Sequence, residues 1–180
     1  MTATVSVTES SMELTPQRVT LGGVDLGGTL DNVVVDFSYS KGEIKADQFG
    51  TTVLDRRVNG IAAKVTLKIA QVRDAEVWSE IFPNANYADV GGDKAIEFRL
   101  PIGASDLDNA VLLNLHPVVV DDSDVSQDHN FYLAFPEEVS QITYGPEEQS
   151  GLQMVFNVYR QVTGGVSRWY RFGDPTVVVP

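Results

Sequence analysis

The sequence predicts an all-β chain with one short α-helix, folded as a two-sheet β-sandwich or barrel. Three observations carry that prediction. Apolar and polar residues alternate with period two over several runs, as half-buried strands require. Turn signals built on Gly, Pro, Asn and Asp recur at about the 8–12-residue spacing of sandwiches and barrels. A single stretch carries the capping, dipole and periodicity signals of a helix. The 180 residues suit one domain that can bury a real core, and with no cysteine that core must hold by packing alone.

Taken in order, residues 1–16 (MTATVSVTESSMELTP) are rich in Ser, Thr and Glu and read as an extended N-terminal arm, ordered only on a receiving surface. Residues 17–180 are then the single domain. A first strand is expected at 18–21. GGVDLGG at 22–28 has neither the GxGxxG spacing nor a P-loop lysine, and no helix pattern follows, so its glycines read as turns at a sheet edge. In NVVVDFSYS (32–40), Val33, Val35, Phe37 and Tyr39 share one face, and Val34, Asp36 and Ser38 the other. Lys41-Gly42 reads as a turn, with strands at 43–47 and 51–59 after it. IAAKVTLKIAQ (61–71) alternates most cleanly, placing Val65, Leu67 and Ile69 inward and Lys64, Thr66 and Lys68 outward.

DAEVWSEIF (74–82) is the helix. Asp74 suits the N-cap or first turn, Glu76 complements the dipole, and Val77, Trp78 and Ile81 form the core-facing stripe, with Pro83-Asn84 as the stop. A polar loop at 84–94, containing Gly91-Gly92, leads to a strand at 95–100. Further strands are expected at 110–120, 130–135, 138–144, 152–162, 168–172 and 176–179, without repeats or linkers.

Lys and Arg total 13 against 25 Asp and Glu, a net charge of −12 that opposes a DNA-gripping face. The same charge repels a polyanion that only passes nearby. The N-terminus lacks a basic n-region and an apolar h-region, and no apolar run approaches the ~20 residues of a bilayer span. The chain is therefore expected to be made in the cytoplasm, to stay there or leave without a signal peptide, and not to insert into a membrane.

Two histidines, His116 and His129, stand outside any HExxH spacing or Cys/His cluster, so no zinc site is expected and each reads as solvated or hydrogen-bonded. In DDSDVSQD (121–128), the oxygens of Asp122, Asp124, Ser126 and Asp128 follow the rhythm of a calcium loop. Gln127 stands where that loop needs Gly and Leu133 where it needs the closing Glu, which leaves a solvated acidic loop. There is no GxSxG elbow, and the acid pairs Glu137-Glu138 and Glu147-Glu148 sit beside prolines in turn-like text. No catalytic residue, cofactor or metal is expected, and the chain does not read as an enzyme.

The most informative text is GVDLGGTLDNVVVDFSYSKGEIKADQFGTTVLDRRVNGIAAKVTLKIAQVRDAEVWSEIFP, residues 23–83. It resembles the major tail tube proteins of long-tailed bacteriophages. The matching features are Asp25-Leu26-Gly27, a strand at 33–39, the D-Q-x-G-T-T-x-x-D loop on residues 47–55, Gly60, an alternating strand at 62–69 and the helix at 74–82. The second half matches in kind only, with a Y-R strand at Tyr159-Arg160.

The resemblance implies two roughly orthogonal sheets flanked by a helix. Six copies close into a ring, and rings stack into the hollow tube of the virion tail. The partners it implies are other copies of the chain, the tape-measure protein and other tail proteins. DNA passes through the lumen without specific binding, and no cofactor is needed. The stretch DQFGTTVLDRR then becomes the candidate assembly interface: Asp47, Gln48, Phe49, Gly50, Thr51, Thr52, Asp55, Arg56 and Arg57. Gly50 supplies the turn, Thr51 and Thr52 begin the next strand, and the charged residues are placed for contacts between subunits. The N-terminal arm, the Gly-rich loop after the helix and the tail TVVVP (176–180) are further contact segments. If the polar face of residues 61–71 lines the bore, Lys64 and Lys68 need acids beside them, and Asp36 and Glu43 are the candidates. The alternative is a non-catalytic β-sandwich binding or virion-decorating module, with Tyr87, Phe131 and Trp169 as its contacts.

Overall fold

The computed structural model describes residues 16–45, 53–70, 75–82, 85–98, 103, 105–143 and 151–178. β1 (Gln17–Leu21) and β2 (Val24–Gly28) form a hairpin over Gly22-Gly23, whose φ angles of 59° and 95° lie where side chains are strained. β3 (Val34–Lys45) and β4 (Val53–Ile69) make a second, much longer hairpin. Next come α1 (Ala75–Ile81) and a small hairpin of β5 (Ala85–Val90) and β6 (Asp93–Phe98). A four-residue helix, α2 (Asp106–Asn109), precedes β7 (Val111–Pro117). The long strands β8 (His129–Thr143) and β9 (Gly151–Tyr159) follow, and then the short β10 (Gln161–Thr163), β11 (Val166–Arg168) and β12 (Tyr170–Phe172).

The main sheet runs β2-β1-β7-β8-β9-β4-β3, with β12 also paired to β8. It closes on itself. Just beyond β2, Thr29 bridges to Ile69 at the end of β4, flanked by Leu30 N–H donating to Lys68 O (2.8 Å) and Ala70 N–H to Gly28 O (3.3 Å). The expected all-β sandwich or barrel is thus present, and its facing layers belong to one continuous sheet. One core fills it: Val19 and Leu21, Leu26, the β4 series Ala63, Val65, Leu67 and Ile69, then Leu113, Leu115, Phe131, Ala134 and alternate residues of β9. Val77 and Ile81 of α1 join that core, with Trp78 packed against it and stacked on Phe82. The helix stripe read from the sequence is therefore correct, while Asp74, Pro83 and Asn84 lie outside the described residues.

Several elements differ from expectation, two of them because strands absorb irregular residues as bulges rather than ending at them. Lys41-Gly42 is not a turn but lies inside β3, where Ser40 faces Gly60 and Lys41 faces Val58, leaving Asn59 as the extra residue. A Cβ on Gly42 would run into the Asn59 side chain, which explains a glycine in mid-strand. The segments expected at 130–135 and 138–144 are, as far as Thr143, one strand, bulged between Pro136 and Glu138 and again between Val139 and Gln141. The polar loop expected at 84–94 is, from Ala85 on, the β5–β6 hairpin turning on Gly91-Gly92. Thr176 to Val178 form no strand; Asp174 instead caps this turn by accepting from Thr176 N–H and Oγ1–H.

Candidate assembly interface

β9 accompanies β4 only from Ala63 to Ile69, whereas β3 accompanies it back to Val53. The outer halves of the β3–β4 hairpin therefore leave the barrel as a two-stranded arm. Along β3 the inward-facing residues lose cover in step: Val33 and Val35 pack against the core, Phe37 is 46% exposed and Tyr39 58%. Val58 and Ile44 are also exposed on the arm. Such apolar side chains in water on a protruding ribbon are a feature of contact surfaces.

Asp55, Arg56 and Arg57 stand together on this arm, opposite Ile44, Glu43 and Gly42. Arg56 Nη2 meets Glu43 Oε1 at 3.1 Å, Arg57 Nε lies 3.7 Å from Asp55 Oδ2, and Asp55 Oδ1 accepts the Arg56 backbone N–H at 2.8 Å. With the two arginine side chains 63% and 76% exposed, pairs of this kind contribute under about 1 kcal/mol. Their charge is available to a partner at little cost to the fold. Asp47, Gln48, Phe49, Gly50, Thr51 and Thr52 lie outside the described residues.

β3 ends the sheet, and among the described residues no strand pairs with its outer edge. β8 is similar: β7 covers it only as far as Ala134, and beyond that point, among the described residues, it pairs with β9 alone. Among the described residues the run β8-β9-β4-β3 thus has an open edge on either side, which is the arrangement that invites strand pairing between molecules. Sequence periodicity carries no signal for which edges stay open.

The polar face of this run carries Lys64 and Lys68, and each has a carboxylate partner. Lys64 Nζ lies 2.5 Å from Glu137 Oε2 across β9, and Lys68 Nζ lies 3.4 Å from Asp31 Oδ2. The hydrogen bond from Lys64 is the main cause holding the Glu137 carboxyl below the usual carboxylate range, with Asn157 adding to it against the opposing effect of burial. The acids expected for this task were different ones. Asp36 faces Lys64 in register, yet the Lys64 ammonium turns to Glu137, and Glu43 is taken by Arg56. Glu137 is 73 residues from Lys64 in the chain, a pairing that only the strand order creates.

The chemistry-bearing groups elsewhere are held in structural bonds. His116 Nδ1 and Asp128 Oδ1 are 2.6 Å apart and buried, which looks like two members of a catalytic triad. Its Nε2, where a nucleophile would stand, instead faces Val120 O at 3.3 Å. In the acidic loop, Asp121 accepts from Ser123, Asp124 accepts from Ser126 N–H, and Asp122 pairs with Arg18 at 3.0 Å. These bonds to Ser two residues on, from the Asp-x-Ser spacing, hold the Asp121 and Asp124 carboxyls below their usual range. Asp128 is buried rather than solvated. No group of three or more potential ligands is gathered for a metal among the described residues. Among the aromatic contacts of the alternative reading, Phe131 is fully buried and Trp169 packs against the core, leaving a half-buried Tyr87.

No known protein family matches the chain, and no curated protein matches it. Among solved structures, that of Hcp1 from Flavobacterium johnsoniae is similar, with 13% sequence identity over 86% of this chain and 98% of that chain and a TM-score of 0.44.

Proposed function

We propose that the chain is a non-catalytic structural protein that assembles with itself, its copies joining laterally into rings and the rings stacking into a hollow tube. The observation that carries this reading is the strand run β8-β9-β4-β3 with an open edge at each side. Lateral pairing of one copy's β3 with the next copy's β8 uses both edges, and cyclic closure leaves none exposed. The arm bearing Asp55, Arg56 and Arg57 projects beyond the sheet and suits head-to-tail contact, which in an open series gives a filament.

The resemblance of residues 23–83 to phage tail tube proteins supplies the finer content: a six-membered ring, a place in the virion tail, tape-measure and other tail proteins as partners, and a genome passing through the bore. A net charge of −12 favours that duct role, and so does a polar sheet face whose two lysines are bound to carboxylates. The test is negative-stain microscopy with sedimentation velocity over rising concentration of the full chain. Rings or hollow tubes are expected, and a chain that stays monomeric at millimolar concentration rejects the reading.

A further inference from the structure

Away from the arm, one buried polar cluster joins three separate parts of the chain. His116, on β7, is 8% exposed, Asp128 5% and Asn130 3%. Asp128 Oδ1 faces His116 Nδ1, and its Oδ2 accepts from Asn114 Nδ2 at 2.9 Å. The same Asn114 amide donates to Asn130 Oδ1, and Asn130 Nδ2 donates to Gly173 O at 3.2 Å. The Asp128 backbone carbonyl accepts the Gly173 N–H at 2.8 Å. On the far side of the ring, Val120 O belongs to the acidic loop.

A carbonyl oxygen only accepts, so Nε2 facing Val120 O carries a proton. A carboxylate only accepts, so Nδ1 facing Asp128 carries one too, and the ring is an imidazolium. We propose that the His116–Asp128 pair is a proton-held clasp: charged, it fastens the acidic loop 118–128 to β7 and the Gly173 turn to the start of β8, and loss of one proton as pH rises loosens both. A neutral imidazole has a single N–H. It can serve Asp128 or Val120 but not both, and either choice turns a lone pair toward a buried acceptor.

The charged groups around the ring favour the fastened state. Arg18 stands directly across on β1, but its guanidinium is turned to Asp25 at 2.7 Å and Asp122 at 3.0 Å. Asp121, Asp122 and Asp124 of the loop and Asp128 at the head of β8 bring four carboxyl groups near it. Burial alone lowers the tendency of His116 to hold its second proton; the bonds to Asp128 and Val120 and the charges of Asp128 and Asp122 outweigh it and leave the ring's pKa above the ordinary histidine value. The loop so fastened presents Val118 and Val119, both exposed, so the clasp governs an apolar surface. It lies within one chain and is independent of whether copies assemble.

Amide exchange by NMR from pH 6 to 9, corrected for the intrinsic rate, combined with a titration of the His116 ring, tests the clasp. The ring is expected to titrate above ~6.5, and Gly173 N–H protection to fall about tenfold across that same midpoint, as a local opening would give. In Asp128→Asn the step in protection disappears. A His116 midpoint at or below the ordinary value, protection that stays flat through the midpoint, or an unchanged step in Asp128→Asn overturns the proposal. If Asp128→Asn does not fold, the two wild-type titrations decide it.

Discussion

At the scale of single residues, the most consequential pairing is the one least visible in the sequence. Twelve residues separate His116 from Asp128, and the intervening text is an ordinary acidic loop. The Asp-x-Ser repeats within it forecast its surface turns, but nothing local says that Asp128 is turned inward. Because the folded His116 pKa is raised, the pair's contribution to stability is fully present below about 6.5. It is lost as pH rises through the folded value. Thermal melts from pH 6 to 9 should therefore show a decline in wild type that is absent from His116→Gln. His116→Ala leaves the buried Asp128 carboxylate without its charge partner, and a loss of roughly 3–5 kcal/mol in denaturant unfolding is expected. Phe131→Ala empties a site that is 0% exposed and should cost about 3–5 kcal/mol. A carbohydrate-binding or decorating surface built on Phe131 would have predicted a much smaller effect.

At the scale of elements, alternation located the long core strands, because a side chain that must face a core leaves a period-two trace, while the short β2, read as glycine turns, and β5, read as a polar loop, left none. The inward series of β4, Val65, Leu67 and Ile69, is buried as read. Boundaries were less legible. Gly42 and Pro136 signal breaks, yet cross-strand bonding on either side carries β3 and β8 through them as bulges. The same bonding builds the arm, and Arg56→Glu with Arg57→Glu tests its role. The pairs lost are solvent-exposed, so the monomer should lose under about 1 kcal/mol and keep its circular dichroism. Sedimentation should reveal a loss of higher assembly. A double variant that polymerises like wild type removes the arm from the interface.

At the scale of the whole molecule, the fold class followed from composition and pattern, while the strand order did not, since β1 pairs with β7 and β4 with β9 across long stretches of chain. That order sets Glu137 on Lys64 and so pairs the charge of that lysine on the polar sheet face. Glu137→Gln, with Asp31→Asn, should leave the fold intact and unmask two lysines per copy. Assembled particles would then retain double-stranded DNA in co-sedimentation at low salt and release it as salt rises, since each phosphate contact adds to the salt slope. Particles that ignore DNA equally before and after the change would place this face away from the bore.

The closure of the sheet also sets a timetable. The β3–β4 hairpin pairs neighbouring segments and can form once Ile69 has left the ribosome, whereas β1 has no partner but β2 until Pro117 has been made. At common rates of synthesis the stretch from Leu21 to Pro117 takes roughly 5–20 s. β1 and β2, made well before the strand that seats them, wait with the apolar side chains of Val19, Leu21 and Leu26 in the open for those seconds, which makes the nascent chain a natural client for a ribosome-bound chaperone.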